Sequence, residues 1–202
     1  MPVKRGQDTI ARLLDAALAV YSRRGRDGFT LQAVLDASGV SVGSLYHHFG
    51  SLDGLGVGLY DRCMDDLMDH LIDGLGDCRT AEEGVRSMVS VYLRWTAAEP
   101  AKALVLHAAA YPGSAPGDAE RATGANAPKV EVIGEWFAPH IASGALDPLP
   151  PFLLETLVLG PPRLAAQRWL AGAPGFDLDE AARHLPDRVW RSVRGSKPPT
   201  NE

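Results

Sequence analysis

At 202 residues with 46% hydrophobic and 22% charged residues, the chain reads as a soluble globular protein of one large or two small domains. Its longest apolar stretches, such as Leu153 to Gly160, are too short for a bilayer, and Met1-Pro2-Val3-Lys4-Arg5 lacks the apolar run of a signal peptide, so a cytoplasmic location without a membrane partner is expected. The net charge of −5 speaks against a polyanion partner, yet residues 1–50 carry six Lys/Arg against four Asp, a local +2, while the remainder carries 14 basic against 21 acidic residues, −7. A basic module on an acidic body is the pattern of a protein that docks DNA with one end.

In chain order, apolar residues at helical spacing from Ile10 through Leu13, Leu14, Ala17, Val20 and Tyr21 predict a first helix that stops at Gly25 after the basic turn Arg23-Arg24. Thr30 is placed to cap a second helix carrying Val34, Leu35 and Ala37, ended by Gly39. Ser41 caps a third, with Leu45 and Phe49 on its inner face, and the tight turn between these short helices gives a helix-turn-helix. Beyond Gly54 the stripe Leu59, Met64, Leu67, Met68, Leu71 and Leu75 predicts a long amphipathic helix. Thr80-Ala81-Glu82-Glu83 is a capping box opening a helix through Trp95, and Pro100 opens another to about Ala110.

A Gly/Ala-rich loop is expected from Tyr111 to Pro128, with room for a short helix around Asp118–Ala122, and Pro128 is expected to start the next helix. Gly160-Pro161-Pro162 should kink or break the apolar segments on either side of it. Asp177 to Glu180 signals a last helix with Leu185, Val189 and Trp190, and the tail after Gly195 is expected to be disordered. Nothing alternates with period two. The fold class is therefore all-α, with an N-terminal three-helix DNA-binding domain at 1–52, a helical ligand-binding and dimerisation bundle at 53–195, and a disordered tail at 196–202.

The run from Phe29 to Phe49, FTLQAVLDASGVSVGSLYHHF, closely resembles the DNA-binding signature of the TetR family, and the resemblance extends over about Thr9 to Leu55. It implies a homodimer placing its third helices in successive major grooves of a palindromic double-stranded operator, repression relieved by a small-molecule effector, and no enzymatic activity. By the same resemblance Ser44 and His47 face base edges, Thr30, Ser41, Tyr46 and His48 contact phosphates, Gln32 serves either purpose, and Gly43 permits close backbone approach. Where the family usually carries a Lys near the start of the fourth helix, this chain has Leu52, which cannot contact a phosphate; a weaker hold on the DNA backbone is the expected consequence.

Met64, Met68, Tyr92, Trp95, His107, Trp136, Phe137 and His140 are the candidate lining for a mostly apolar effector, although such residues more often form ordinary core. Arg163 is a further polar anchor or an interface residue. No cofactor is expected, and His107, His140, Cys63 and Cys78 lack the paired spacing of metal ligands. A helical enzyme or a metal-responsive sensor is the alternative. Apolar residues Leu154, Leu157, Val158, Leu164 and Trp169, with Leu185, Val189 and Trp190, predict dimerisation through the last two helices.

Overall fold

The computed structural model describes residues 2–108 and 118–195, which hold nine α-helices and no strand beyond one isolated bridge between Leu146 and Arg194. These residues form two compact units. The first comprises residues 1–65 and 101–122, the second residues 66–100 and 123–202.

In the first unit, α1 (Pro2–Arg24) begins well before the expected Ile10, because Pro2 suits the first helical position and Gly6 stays helical, and it ends where Gly25 takes the left-handed conformation at φ +64°. Leu13, Leu14, Ala16, Ala17 and Val20 form its buried stripe. Against it pack α2 (Leu31–Ser38) and α3 (Val42–Phe49). The unit also takes α4 (Leu52–Gly76) as far as Asp65, together with α6 (Pro100–Ala108).

In the second unit, α5 (Ala81–Ala98), α8 (Pro151–Leu170) and α9 (Leu178–Val193) pack on one another. The capping box forms as expected, Thr80 accepting from the Glu83 amide while the Glu83 carboxylate accepts from the Thr80 amide. Asp177 likewise caps α9, accepting from the amides of Asp179 and Glu180.

Pro128 departs from expectation, and of the kink or break expected at Pro161-Pro162 the break does not occur. Pro128 does not open a helix but lies inside α7 (Asp118–Ala142), as does Pro139. Pro161 and Pro162 do not divide α8, which is assigned as helix throughout. A proline forfeits one backbone donor and crowds the preceding turn at a cost of about 3 kcal/mol, but the ladder resumes on either side. In α8, Val158, Pro162, Ala165 and Ala166 are all buried, so the packing of that face offsets the loss. Of the loop expected from Tyr111 to Pro128, residues 118–127 are instead the start of α7; the remainder, at 111–117, and the tail at 196–202 lie outside the described residues.

Candidate nucleic-acid interface

The helix-turn-helix is set by short-range chemistry. Thr30 Oγ1 accepts from the Ala33 amide at 3.3 Å and opens α2; Gly39, at φ +60°, closes it by donating to the Leu35 carbonyl at 2.9 Å. Two residues later Ser41 Oγ accepts from the Ser44 amide at 3.3 Å and opens α3. The turn is tied to α1 by Arg12, whose Nη2 donates to the Ser38 carbonyl at 2.7 Å.

Helix α3 is seated by Leu45, fully buried at 0% exposure and the only buried residue of that helix. Behind it, a Cβ on Gly58 of α4 would lie 2.9 Å from the Phe49 ring, and one on Gly54 would overlap the Phe49 carbonyl oxygen. Glycine at both positions lets α4 approach the end of α3 this closely.

The opposite face of α3 is open. Tyr46 is 50% exposed, Ser41, Gly43 and His47 are exposed, and Ser44 and His48 are half-buried. Nothing lies within 4 Å of where a Cβ on Gly43 would stand, so backbone approach there is unobstructed. The His47 and His48 rings meet edge to face with centroids 4.9 Å apart. Ser41 and Ser44 share a hydroxyl hydrogen bond of 3.0 Å. Gln32 donates to Asp36 Oδ1 at 2.7 Å, so contact with a base or phosphate would require it to turn away from that carboxylate. All eight residues assigned to DNA on the basis of sequence thus lie on α2, α3 or their caps, with Thr30 and Gln32 exposed as well.

Residues 13–55 match the family model described as bacterial regulatory proteins, tetR family. The chain is 38% identical over 64 residues, 32% of its length, to the HTH-type transcriptional repressor KstR2 of Rhodococcus jostii, and 25% identical over 135 residues, 67% of its length, to an uncharacterized HTH-type transcriptional regulator of Mycobacterium tuberculosis. The chain spans only 30% and 60% of the lengths of these curated relatives. The whole fold is similar to that of the transcriptional regulator FadR of Bacillus subtilis, solved in complex with stearoyl-CoA, with a TM-score of 0.75 over 91% of this chain and 99% of that one at 16% identity.

Residues 13–55 are thus similar to the DNA-binding part of tetR-family regulators, and the relatives and the solved structure named above are transcription regulators. Among the described residues no helix is long and apolar enough to cross a membrane.

The residues proposed to line an effector site divide between the units. Met64 and His107 fall in the first; Met68, Tyr92, Trp95, Trp136, Phe137 and His140 fall in the second. Tyr92, Trp95 and Phe137 are buried, and Trp95 Nε1 donates to Asp66 Oδ2 at 2.8 Å. Trp136 is the hub of an aromatic cluster, 5.0 Å from Phe137 and 4.5 Å from His140 between ring centroids, and its indole occupies the space a Cβ on Gly84 of α5 would need.

One buried polar residue of α7 went unremarked in the sequence. Asn126 on α7 is 3% exposed, and its Nδ2 is buried with no hydrogen-bond partner. A lone Asn in a Gly/Ala-rich stretch carries no sequence signal of burial.

Proposed function

We propose that this chain is a sequence-specific DNA-binding regulator, acting as a repressor, whose grip on a palindromic operator is weakened by a small, mostly apolar ligand held in the C-terminal part. The observation that carries the reading is the outward face of α3: it has a rigid, doubly capped turn beneath it and Tyr46, His47 and Ser44 available above it. Tyr46 serves phosphate and His47 the base edge. Selection of bound duplexes from random DNA tests this directly and should yield a palindrome. Tyr46→Phe should then weaken all sequences alike, whereas His47→Ala should change preference among them; unchanged relative affinities in His47→Ala would overturn the base-reading role.

Dimerisation through α8 and α9 is supported by an open groove of about 420 Å³ along them, lined in part by Pro161, Leu164, Phe176, His184 and Leu185, with Leu164 56% exposed. Sedimentation should give a dimer at micromolar concentration, and a monomer there would refute it.

For the effector, the aromatic cluster around Trp136 supplies apolar surface and Asn126 Nδ2 a donor for a carbonyl or carboxylate oxygen. Stearoyl-CoA, the molecule bound in the Bacillus subtilis regulator, is the first probe to try. A tenfold to hundredfold loss of operator affinity needs a coupling of roughly 1.4 to 2.8 kcal/mol, and reciprocity requires operator to weaken the ligand by the same factor. Helix α4 enters both units and is the element proposed to carry that coupling.

A further inference from the structure

From Asp27 to Asp61 the chain contains no Lys and no Arg. This stretch includes the whole of α2 and α3 and the start of α4, and its formal charges are Asp27, Asp36, Asp53 and Asp61, so it carries −4 when His47 and His48 are neutral and −2 when both are protonated. A surface that must lie against phosphates is therefore anionic, and its two histidines are the groups that can reduce that charge by taking up protons.

Of the permanent cations flanking the stretch, three have partners within the fold. Arg12 donates to the Ser38 carbonyl, Arg23 to the Ala19 carbonyl, and Arg62 is paired with Asp15 at 2.7 Å. Arg24 and Arg26 sit at the far, C-terminal end of α1.

Resting on the DNA-binding reading above, we propose that the His47–His48 pair is a proton-coupled phosphate site: docking on DNA draws a proton onto the pair, and the resulting imidazolium replaces the fixed cation that Leu52 does not supply. The geometry suits one proton rather than two. The rings are 4.9 Å apart, so two imidazolium charges would repel, and one ring can face phosphate while the other faces a base. His48, half-buried with its Cε1 3.8 Å from where a Cβ on Gly6 of α1 would stand, is the member taken as phosphate-facing on the DNA-binding reading. The charged and titratable groups on elements near the pair are Lys4, Arg5, Asp8 and Arg12 on α1, Asp36 on α2, Tyr46 on α3 itself and Asp53 on the first turn of α4. Both histidines also stand in the last turn of α3, where the helix dipole favours a cation.

The sign follows from linkage. Histidine ordinarily titrates near pH 6.5, and a phosphate contact raises that value in the complex. The extra affinity is then fully present below the free value, and is lost as pH rises through the window between the free and bound values, at up to about tenfold per pH unit for one proton.

The test is fluorescence anisotropy of the full chain with a duplex recovered by selection, from about pH 6 to about pH 8 at several salt concentrations. Affinity should fall as pH rises, and the salt dependence should be steeper at the acid end by about 0.9 in slope, one phosphate contact. His48→Gln should flatten the pH profile, and His48→Arg should bind at high pH as tightly as the parent does at low pH, with no pH dependence. Circular dichroism of each variant separates misfolding from lost charge, and His48→Arg carries the decision if His48→Gln unfolds. Binding that is strong but independent of pH, or a profile that survives in a folded His48→Gln or His48→Arg, overturns the proton coupling alone. Failure to bind any duplex at either end overturns the DNA-binding reading and this inference with it.

Discussion

Helix α3 is eight residues long and buries Leu45 alone, whereas α8 is twenty residues long and buries five. The ends of α3 are fixed by its own sequence: Ser41 accepts from the Ser44 amide at one end, and Gly50, at φ +73°, donates to the Tyr46 carbonyl at the other. Helix α8 has only the second device, Gly172 at φ +64° donating to the Trp169 carbonyl at 2.9 Å. Pro150 offers no side-chain cap, two prolines interrupt its ladder, and it exists because α5 and α9 cover its inner face. Short helices that must present their outer face to a partner cannot draw stability from burial on both sides, so local capping carries more of the load.

The sharpest way to break this contrast is at Leu45. As the one buried side chain of α3, its replacement by Ala should cost about 2 to 5 kcal/mol and leave the recognition face without an anchor. Chemical denaturation should show the lowered midpoint, and operator binding should be lost even where the remaining helices persist. A cost well under 1 kcal/mol would mean that the caps alone seat the helix.

Next in size is Pro161 in α8. If packing rather than local sequence holds that helix, Pro161→Ala restores a backbone donor without removing the buried Pro162, and thermal unfolding should move upward by the equivalent of about 1 kcal/mol, with about 3 as the ceiling. A comparable loss would show that the proline ring itself is an essential part of the packing.

The same contrast accounts for what could be read in advance. Caps and breakers act over three or four residues, so Thr30, Gly39, Ser41, the Thr80–Glu83 box and Asp177 were all legible in the sequence, and with them the helix-turn-helix and the all-helical class. The prolines at 128, 161 and 162 misled because their local penalty is real while the burial that outweighs it depends on residues far along the chain. At the interface, exposure of Tyr46 and His47 followed from the side of the helix opposite Leu45, but the bond that occupies Gln32, and the Arg12 contact that fixes the turn from 26 residues away, required the fold.

Smaller still is the cap itself. Ser41→Ala leaves the Ser44 amide only the Ser41 carbonyl, at 3.1 Å, as acceptor and removes the hydroxyl shared with Ser44, which should cost about 1 kcal/mol. Ser41→Asp should restore most of the stability, since a carboxylate caps as well as a hydroxyl, while weakening DNA binding by setting an anion on the phosphate-facing side. Equal operator affinity in the two variants would remove Ser41 from the interface.

The smallest effect is expected at Glu83, in the second unit's own locally encoded cap. Its carboxylate accepts from the backbone amides of Arg79 at 2.8 Å and Thr80 at 3.0 Å, and these bonds, Arg79's first, hold its pKa below the ordinary value of 4.5. A depressed value in the folded state means that the folded chain binds this proton less readily than the unfolded chain does. The contribution of Glu83 to stability is therefore fully present above the ordinary value and disappears as pH falls through the lower, folded one. Glu83→Gln keeps an amide oxygen as acceptor but removes the charge that favours the helix N-terminus. Denaturation series from about pH 7 to about pH 3 should show the variant less stable than the parent near neutrality and the gap closing in acid. The group is fully exposed, so added salt should narrow the gap at every pH. A gap that stayed constant across the range would assign the cap to neutral hydrogen bonding, and α5 would then be capped by the same uncharged chemistry as α2 and α3.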